Sequence, residues 1–248
     1  MGQTQEQGGQ AGGMSICLET PSIHPKLILS YHVLPNKWLL QGGTTGGGGS
    51  LKWFNEELGY KEQTMAKEEG SNPFIIMSKE ASEIPAGSEG VLYLPYMKGE
   101  RSPLWHGGAK GVYYGLSFDK TRAHMIRSTM EGVAYSLRHN LDVALEVGGE
   151  VGVMSSVGGS ANSDVWTQIK ADITGKTIEV PYSDHATSLG AAILAGVGAG
   201  LYQSFEEAVS RTVKVIKEYK PNRANRVIYD EGYRVYRRLS QLLIDEMF

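Results

Sequence analysis

A single cysteine, Cys17, in 248 residues leaves no internal disulfide and no cysteine-rich metal site. That usage suits a reducing compartment, with Cys17 expected as a small buried hydrophobe. There is no basic surplus. Lys and Arg number 24 against 27 Asp and Glu, a net −3, and no basic run stands out, so nucleic acid is not an expected partner. No apolar run reaches membrane-spanning length, and Met1-Gly2-Gln3-Thr4-Gln5-Glu6-Gln7 is not a secretory signal. A soluble, cytoplasmic protein with no membrane partner is expected. His24, His32, His106, His124, His139 and His185 are scattered without ligand spacing, so no metal site is expected. The Gly-x4-Gly-Lys-Ser/Thr phosphate loop is missing. So is a Gly-x-Ser-x-Gly elbow around Ser160, which makes a serine hydrolase a poor fit.

What is plentiful is glycine, 32 residues, and its placement carries information. The strand-like run Val151–Val157 meets Gly158-Gly159, and a helix ending at Gly175 follows Ser163. At such a junction unpaired N–H groups and the positive end of a helix dipole point outward, and glycine admits a ligand to the main chain. The same pattern is also an ordinary α/β connection, and both readings stand. A second glycine run, Gly42–Gly49, feeds a helix over Leu51–Leu58 with Ser50 as its expected N-cap. It reads equally as an anion site or a crowded backbone crossing.

The first thirteen residues, rich in Gly and Gln, are expected to be loose, with one domain from 14 to 248. Strands are expected at Met14–Glu19, Lys26–Val33, Lys37–Leu40, Val91–Tyr96 and Thr177–Val180. Helices are expected at Phe74–Ser82, Thr187–Leu201 and Asn225–Met247, the second with small residues for close packing on a sheet. Thr121–Val147 reads as one long helix, because Ile126, Met130, Val133, Leu137, Leu141 and Ala144 recur at steps of three or four. On it, Arg127 and Glu131 form an i,i+4 pair expected in solvent. With 41% apolar and 21% charged residues, the chain reads as a globular α/β domain with a mixed sheet flanked by helices.

Several segments, in this order, resemble the FGGY family of carbohydrate kinases. Gly115-Leu116-Ser117 with His124–Gly132 looks like the family's second signature, and Gly99-Glu100-Arg101-Ser102-Pro103 like a loop of its xylulokinase-like members. Val157–Ser163 with Trp166, Gln168 and Ala171-Asp172, then Leu189–Ala195, is similar to the adenine-side turn and a following helix. The resemblance covers about residues 12–245.

The resemblance implies an actin-like ATPase or ribonuclease-H-like fold, the second domain of a two-domain sugar kinase with ATP between its halves. It places Gly158, Gly159 and Ser163 at the adenosine and Gly99 near the phosphates. The best match to the family's Gly-Thr-Ser phosphate hairpin is Gly13-Met14-Ser15, where methionine offers no hydroxyl. The sugar, the aspartate that takes its proton and one phosphate loop belong to a first domain with no counterpart in these 248 residues, so no catalytic residue is expected here. Asp119, Asp164, Asp172 and Asp184 read as capping or solvated residues instead. ATP and Mg²⁺ are the implied ligands of the complete enzyme, and an exposed cleft face leaves room for a homodimer. The alternative from another class is a non-catalytic nucleotide-binding or assembly module of the same fold.

Overall fold

The computed structural model describes residues 3–182 and 185–248; Asp184 lies outside them. A seven-stranded sheet organises the chain, built from β1 (Thr4–Gly8), β2 (Gly12–Leu18), β3 (Ile28–Tyr31), β4 (Trp38–Thr44), β7 (Val153–Val157), β8 (Thr177–Pro181) and β9 (Val215–Tyr219). Their order is β3-β4-β2-β1-β7-β8-β9. The pairs β1/β7 and β7/β8 are parallel and the others antiparallel, which makes the sheet mixed. A separate hairpin joins β5 (Leu92–Leu94) and β6 (Val112–Tyr114).

The amino-terminal residues are not loose. β1 lies between β2 and β7 in mid-sheet, with Thr4, Glu6 and Gly8 buried and Gln5 and Gln7 turned the other way. Its polar composition disguises a strand because its buried charge, Glu6, is met by Lys170 from far along the chain. The domain therefore includes residues 4–13. The register Gln5↔Ser15, Glu6↔Met14 and Gln7↔Gly13 sets the hairpin turn at Gly9-Gln10-Ala11. Gly13, Met14 and Ser15 thus lie along β2, and Met14 is a core residue at 2% exposure.

One helix forms the spine. α4 (Arg122–Leu145) follows a capping box in which the Thr121 N–H donates to His124 Nδ1 at 3.1 Å. Its neighbours are α3 (Pro73–Ser82), α5 (Asp164–Thr174), β5 and α8 (Arg226–Glu246), so it is buried on nearly every side. The Arg127–Glu131 pair is accordingly buried, not solvated. Arg127 Nε donates to Glu131 at 2.8 Å and its Nη2 to Tyr229 Oη at 2.9 Å, while the Gly87 N–H and Ser88 Oγ donate to the carboxylate. Tyr135, Tyr229, Tyr233 and Tyr236 pack ring against ring beside α4.

Two further expectations differ from the structure. α6 (Ala186–Gly198) buries only Ile193 and Gly196, so its small residues do not press on the sheet as expected. Cys17 is half-buried rather than buried, because it alternates with the core residues Met14 and Ile16 along β2.

Candidate functional site

Three chain reversals and one helix face converge on an open cleft of about 800 Å³, a size suited to a small-molecule ligand. One side is the hairpin turn, Gly8, Gly9 and Gln10, with the start of α1 (Gly48–Leu58), which contributes Gly48, Gly49, Leu51 and Lys52. The second side is α3, with Asn72, Phe74, Ile75, Ser78 and Lys79. The third is the turn after β7, Gly159, Ser160, Asn162 and Ser163, continuing into Asp164, Val165 and Trp166 of α5.

Local chemistry fixes each side. Asn72 Oδ1 accepts from the Phe74 N–H at 2.9 Å and Pro73 follows it, an N-cap and first helical residue that start α3. Ser163 caps α5 by accepting from the Trp166 N–H at 3.2 Å. Ser163 Oγ also lies 2.9 Å from Ser78 Oγ, which joins two walls of the cleft. Trp166 is held from behind, its Nε1 donating to the Met130 carbonyl at 3.0 Å.

The glycine run before α1 is the crowded crossing, not an open anion site. Gly48 N–H donates to the Gly9 carbonyl at 2.7 Å and Gly49 N–H to the Gln10 carbonyl at 2.9 Å. The first helical donors are therefore satisfied by the hairpin. A Cβ at Gly47 would stand 2.3 Å from the main chain of Ala11 and Gly12, so backbone passes against backbone there. The N-cap is Gly47, and Ser50 sits inside α1 with its Oγ donating to the Gly46 carbonyl at 2.7 Å.

Beneath the cleft lies a buried charged network. Lys170 Nζ, on α5, donates to Glu6 Oε1 of β1 at 2.8 Å and to Ser160 Oγ at 2.6 Å. Ser156 of β7 donates to the other Glu6 oxygen. The strands leading into the hairpin turn and the Gly158 turn are thereby locked to each other.

The residues singled out in the sequence separate in the folded chain. Gly159 and Ser163 line the cleft. Gly158 backs it: at φ +92° a Cβ there would stand 3.1 Å from the Gly8 carbonyl, and the residue faces a hollow on the other side of the turn. Gly99 does not line the cleft; its carbonyl accepts from Thr45 Oγ1 at 2.6 Å behind the glycine run. Next to it Glu100 is buried, and loss of water pushes its carboxyl up to about 8, although Thr44 Oγ1 at 2.9 Å and the Thr45 N–H pull the other way. Gly13, Met14 and Ser15 do not reach the cleft, since the register places them along β2. The hairpin turn that does reach it, together with the α3 wall, was missed. Asn72-Pro73 is the cap signature that marks α3.

Among the described residues, Asp119, Asp164 and Asp172 are each engaged by neighbouring groups. Asp172 is buried and accepts from Gln168 Nε2 at 2.6 Å, the Asn222 N–H at 2.8 Å and Asn225 Nδ2 at 2.8 Å. Asp164 accepts from Lys217 Nζ and Tyr219 Oη, which hold its carboxyl below the usual range. Asp119 is exposed and bonds Ser117 and Lys120. Among the described residues no cluster of His, Cys, Asp and Glu is arranged to hold a metal ion. Asp164, the one carboxylate on the cleft among the described residues, is committed to Lys217 and Tyr219, so these side chains do not fit a Mg²⁺ ion on their own.

A mixed sheet with helices packed on it and a ligand-sized cleft at its strand ends defines an actin-like, ribonuclease-H-like ATPase fold. The chain belongs to the FGGY family of carbohydrate kinases, whose C-terminal domain matches residues 15–199. It is 33% identical over 240 residues to a gluconokinase of Bacillus licheniformis, covering 96% of this chain and 45% of that protein. It is 32% identical over 215 residues to a xylulose kinase of Staphylococcus epidermidis, covering 87% and 41%. The xylulose kinase of Rhodospirillum rubrum superposes with a TM-score of 0.82 at 29% identity, covering 98% of this chain and 47% of that one. The chain thus spans less than half the length of these relatives.

Proposed function

We propose that this chain is the nucleotide-binding half of an ATP-dependent sugar or polyol kinase working in the cytoplasm. The observation that carries the reading is the cleft. An apolar face of Leu51, Phe74, Ile75, Val165 and Trp166 suits a base, and glycine turns at strand ends let phosphates approach the main chain. In the reaction a sugar hydroxyl oxygen bonds to the γ-phosphorus, the bond from that phosphorus to the β,γ-bridging oxygen breaks, ADP leaves, and the hydroxyl proton passes to a base. The base is assigned to the family's first domain, since the match here is to the C-terminal domain, and Asp164 and Asp172 among the described residues already serve as structural acceptors. This chain's part is to bind and orient the nucleotide; positioning is most of what phosphoryl transfer asks of a protein. Mg²⁺ would be held by phosphates and by groups beyond this chain, so no step is assigned to it here.

One observation favours the second reading, a non-catalytic nucleotide-binding module: the turn Gly9-Gln10-Ala11 carries neither a hydroxyl nor a cation. Calorimetric titration of the chain with ATP tests binding, and no heat at millimolar nucleotide would overturn both readings. Coupled ADP-release assays with gluconate, xylulose, other pentuloses and polyols separate them. Turnover is expected only when this chain works together with a domain that brings the base. Turnover by the chain alone would refute the placement of the base, and none in the completed protein would favour the module.

A further inference from the structure

Three hydroxyls line the cleft, and two of them are committed to each other. Ser78 and Ser163 share a hydrogen bond, and Ser163 also accepts from the Trp166 N–H. Ser160 is placed differently. Its Oγ accepts from the Lys170 ammonium, and an ammonium has three protons and no lone pair, so it only donates. Lys170 is 1% exposed and is anchored on its other side by Glu6, itself nearly as buried. Ser160 therefore offers its lone pair to Lys170, and no acceptor for its own hydrogen is found among the described residues.

The place of that hydroxyl is also unusual. A Cβ at Gly8 would stand 1.5 Å from Ser160 Oγ, so the hydroxyl fills the space that a side chain at the hairpin's base would take. The hairpin turn supplies no hydroxyl or cation of its own, and the lysines on the cleft, Lys52 and Lys79, are exposed. A neutral donor backed by a buried ammonium is polarised toward an anionic acceptor.

We propose that Ser160, held by Lys170 and Glu6, donates its O–H to a phosphate oxygen of the bound nucleotide. This rests on the nucleotide reading above, and it makes Ser160 a binding residue with Lys170 and Glu6 as its positioning residues. The apolar wall and the Ser78–Ser163 pair are left to the nucleoside.

The test is calorimetry of the full chain with adenosine and with ATP, for the native sequence and for Ser160→Ala, with melting curves to check folding. A hydrogen bond to a charged oxygen is worth about a tenfold change in affinity or more. Ser160→Ala is expected to weaken ATP by that factor and leave adenosine within about twofold. Ser160→Cys keeps the volume with a weaker donor and is expected to lose ATP affinity in the same direction; it decides the matter where the alanine variant does not fold. Equal losses for both ligands, or no loss, would overturn the role of Ser160 while leaving the nucleotide reading intact. Failure of the native chain to bind either ligand would remove that reading and this inference with it.

Discussion

Replacing Lys170 by methionine removes a charge from the interior while keeping most of the side chain's bulk. The ammonium is 2.8 Å from Glu6, and among the described residues the carboxylate's other side-chain donor is a single hydroxyl, Ser156 Oγ. Lys170→Met leaves Glu6 as an unpaired charge at 3% exposure; breaking a buried pair in this way costs about 3–5 kcal/mol. Unfolding entropy of about 2.1 cal/mol/K per residue gives about 0.5 kcal/mol/K for a chain of 248 residues. The melting temperature should therefore fall by about 6–10 °C. The paired change Glu6→Gln with Lys170→Met leaves no lone charge and should recover most of that loss. Differential scanning calorimetry at neutral pH reads both. A drop below about 2 °C for the single variant, or a double variant no better than the single, would refute the claim that this pair holds β1 to α5.

Three further outcomes are expected. Glu100 is held up to about 8 by burial against an ordinary 4.5, so the folded state binds its proton where the unfolded state has lost it. Its contribution is complete below about 4.5 and is lost as pH rises toward 8, so urea midpoints should fall over that window and Glu100→Gln should flatten the decline. An unchanged slope would show that the carboxyl ionises freely. Ser163→Ala removes the α5 cap and the link to Ser78, and should cost about 1 kcal/mol in urea unfolding; a change near zero would mean that water replaces both bonds. Gly8→Ala drives a methyl into Ser160 Oγ at 1.5 Å and should destabilise the chain by about 1–3 kcal/mol. Adding Ser160→Gly should recover part of this, and a double variant as unstable as Gly8→Ala would place the clash elsewhere.

What was legible in the sequence was whatever is decided locally. Gly175 takes φ +66° at the end of α5, where its Cα carries no Cβ penalty, and Ser163 opens the same helix as a side-chain cap, so both ends of α5 are written in adjacent residues. α4 was legible from its apolar period, because a stripe at steps of three and four reports a packed face whatever packs on it. Its surroundings were not. An Arg and a Glu four apart look the same on a solvated face and in a core, and it is groups far away in the chain, Gly87 and Ser88 before the pair and Tyr229 of α8 after it, that make Arg127–Glu131 a buried pair.

The cleft shows the same division. Its α5 side came from a local motif, and its hairpin side was hidden because β1 is polar in composition and central in place. Glu6 is tolerable there because partners from distant parts of the chain, Ser156 and above all Lys170, meet it. A polar strand of this kind reads as a loose end when scored by its own hydrophobicity, and the match to the family's hairpin, Gly13-Met14-Ser15, falls on β2 rather than on the turn Gly9-Gln10-Ala11. The place of Gly13-Met14-Ser15 thus follows from the place of β1, and β1 is tied to α5 in mid-sheet by one buried ion pair, Glu6–Lys170. That pair also sets Ser160 against Gly8, so the feature least visible in the sequence is the one that brings the two glycine turns of the cleft together.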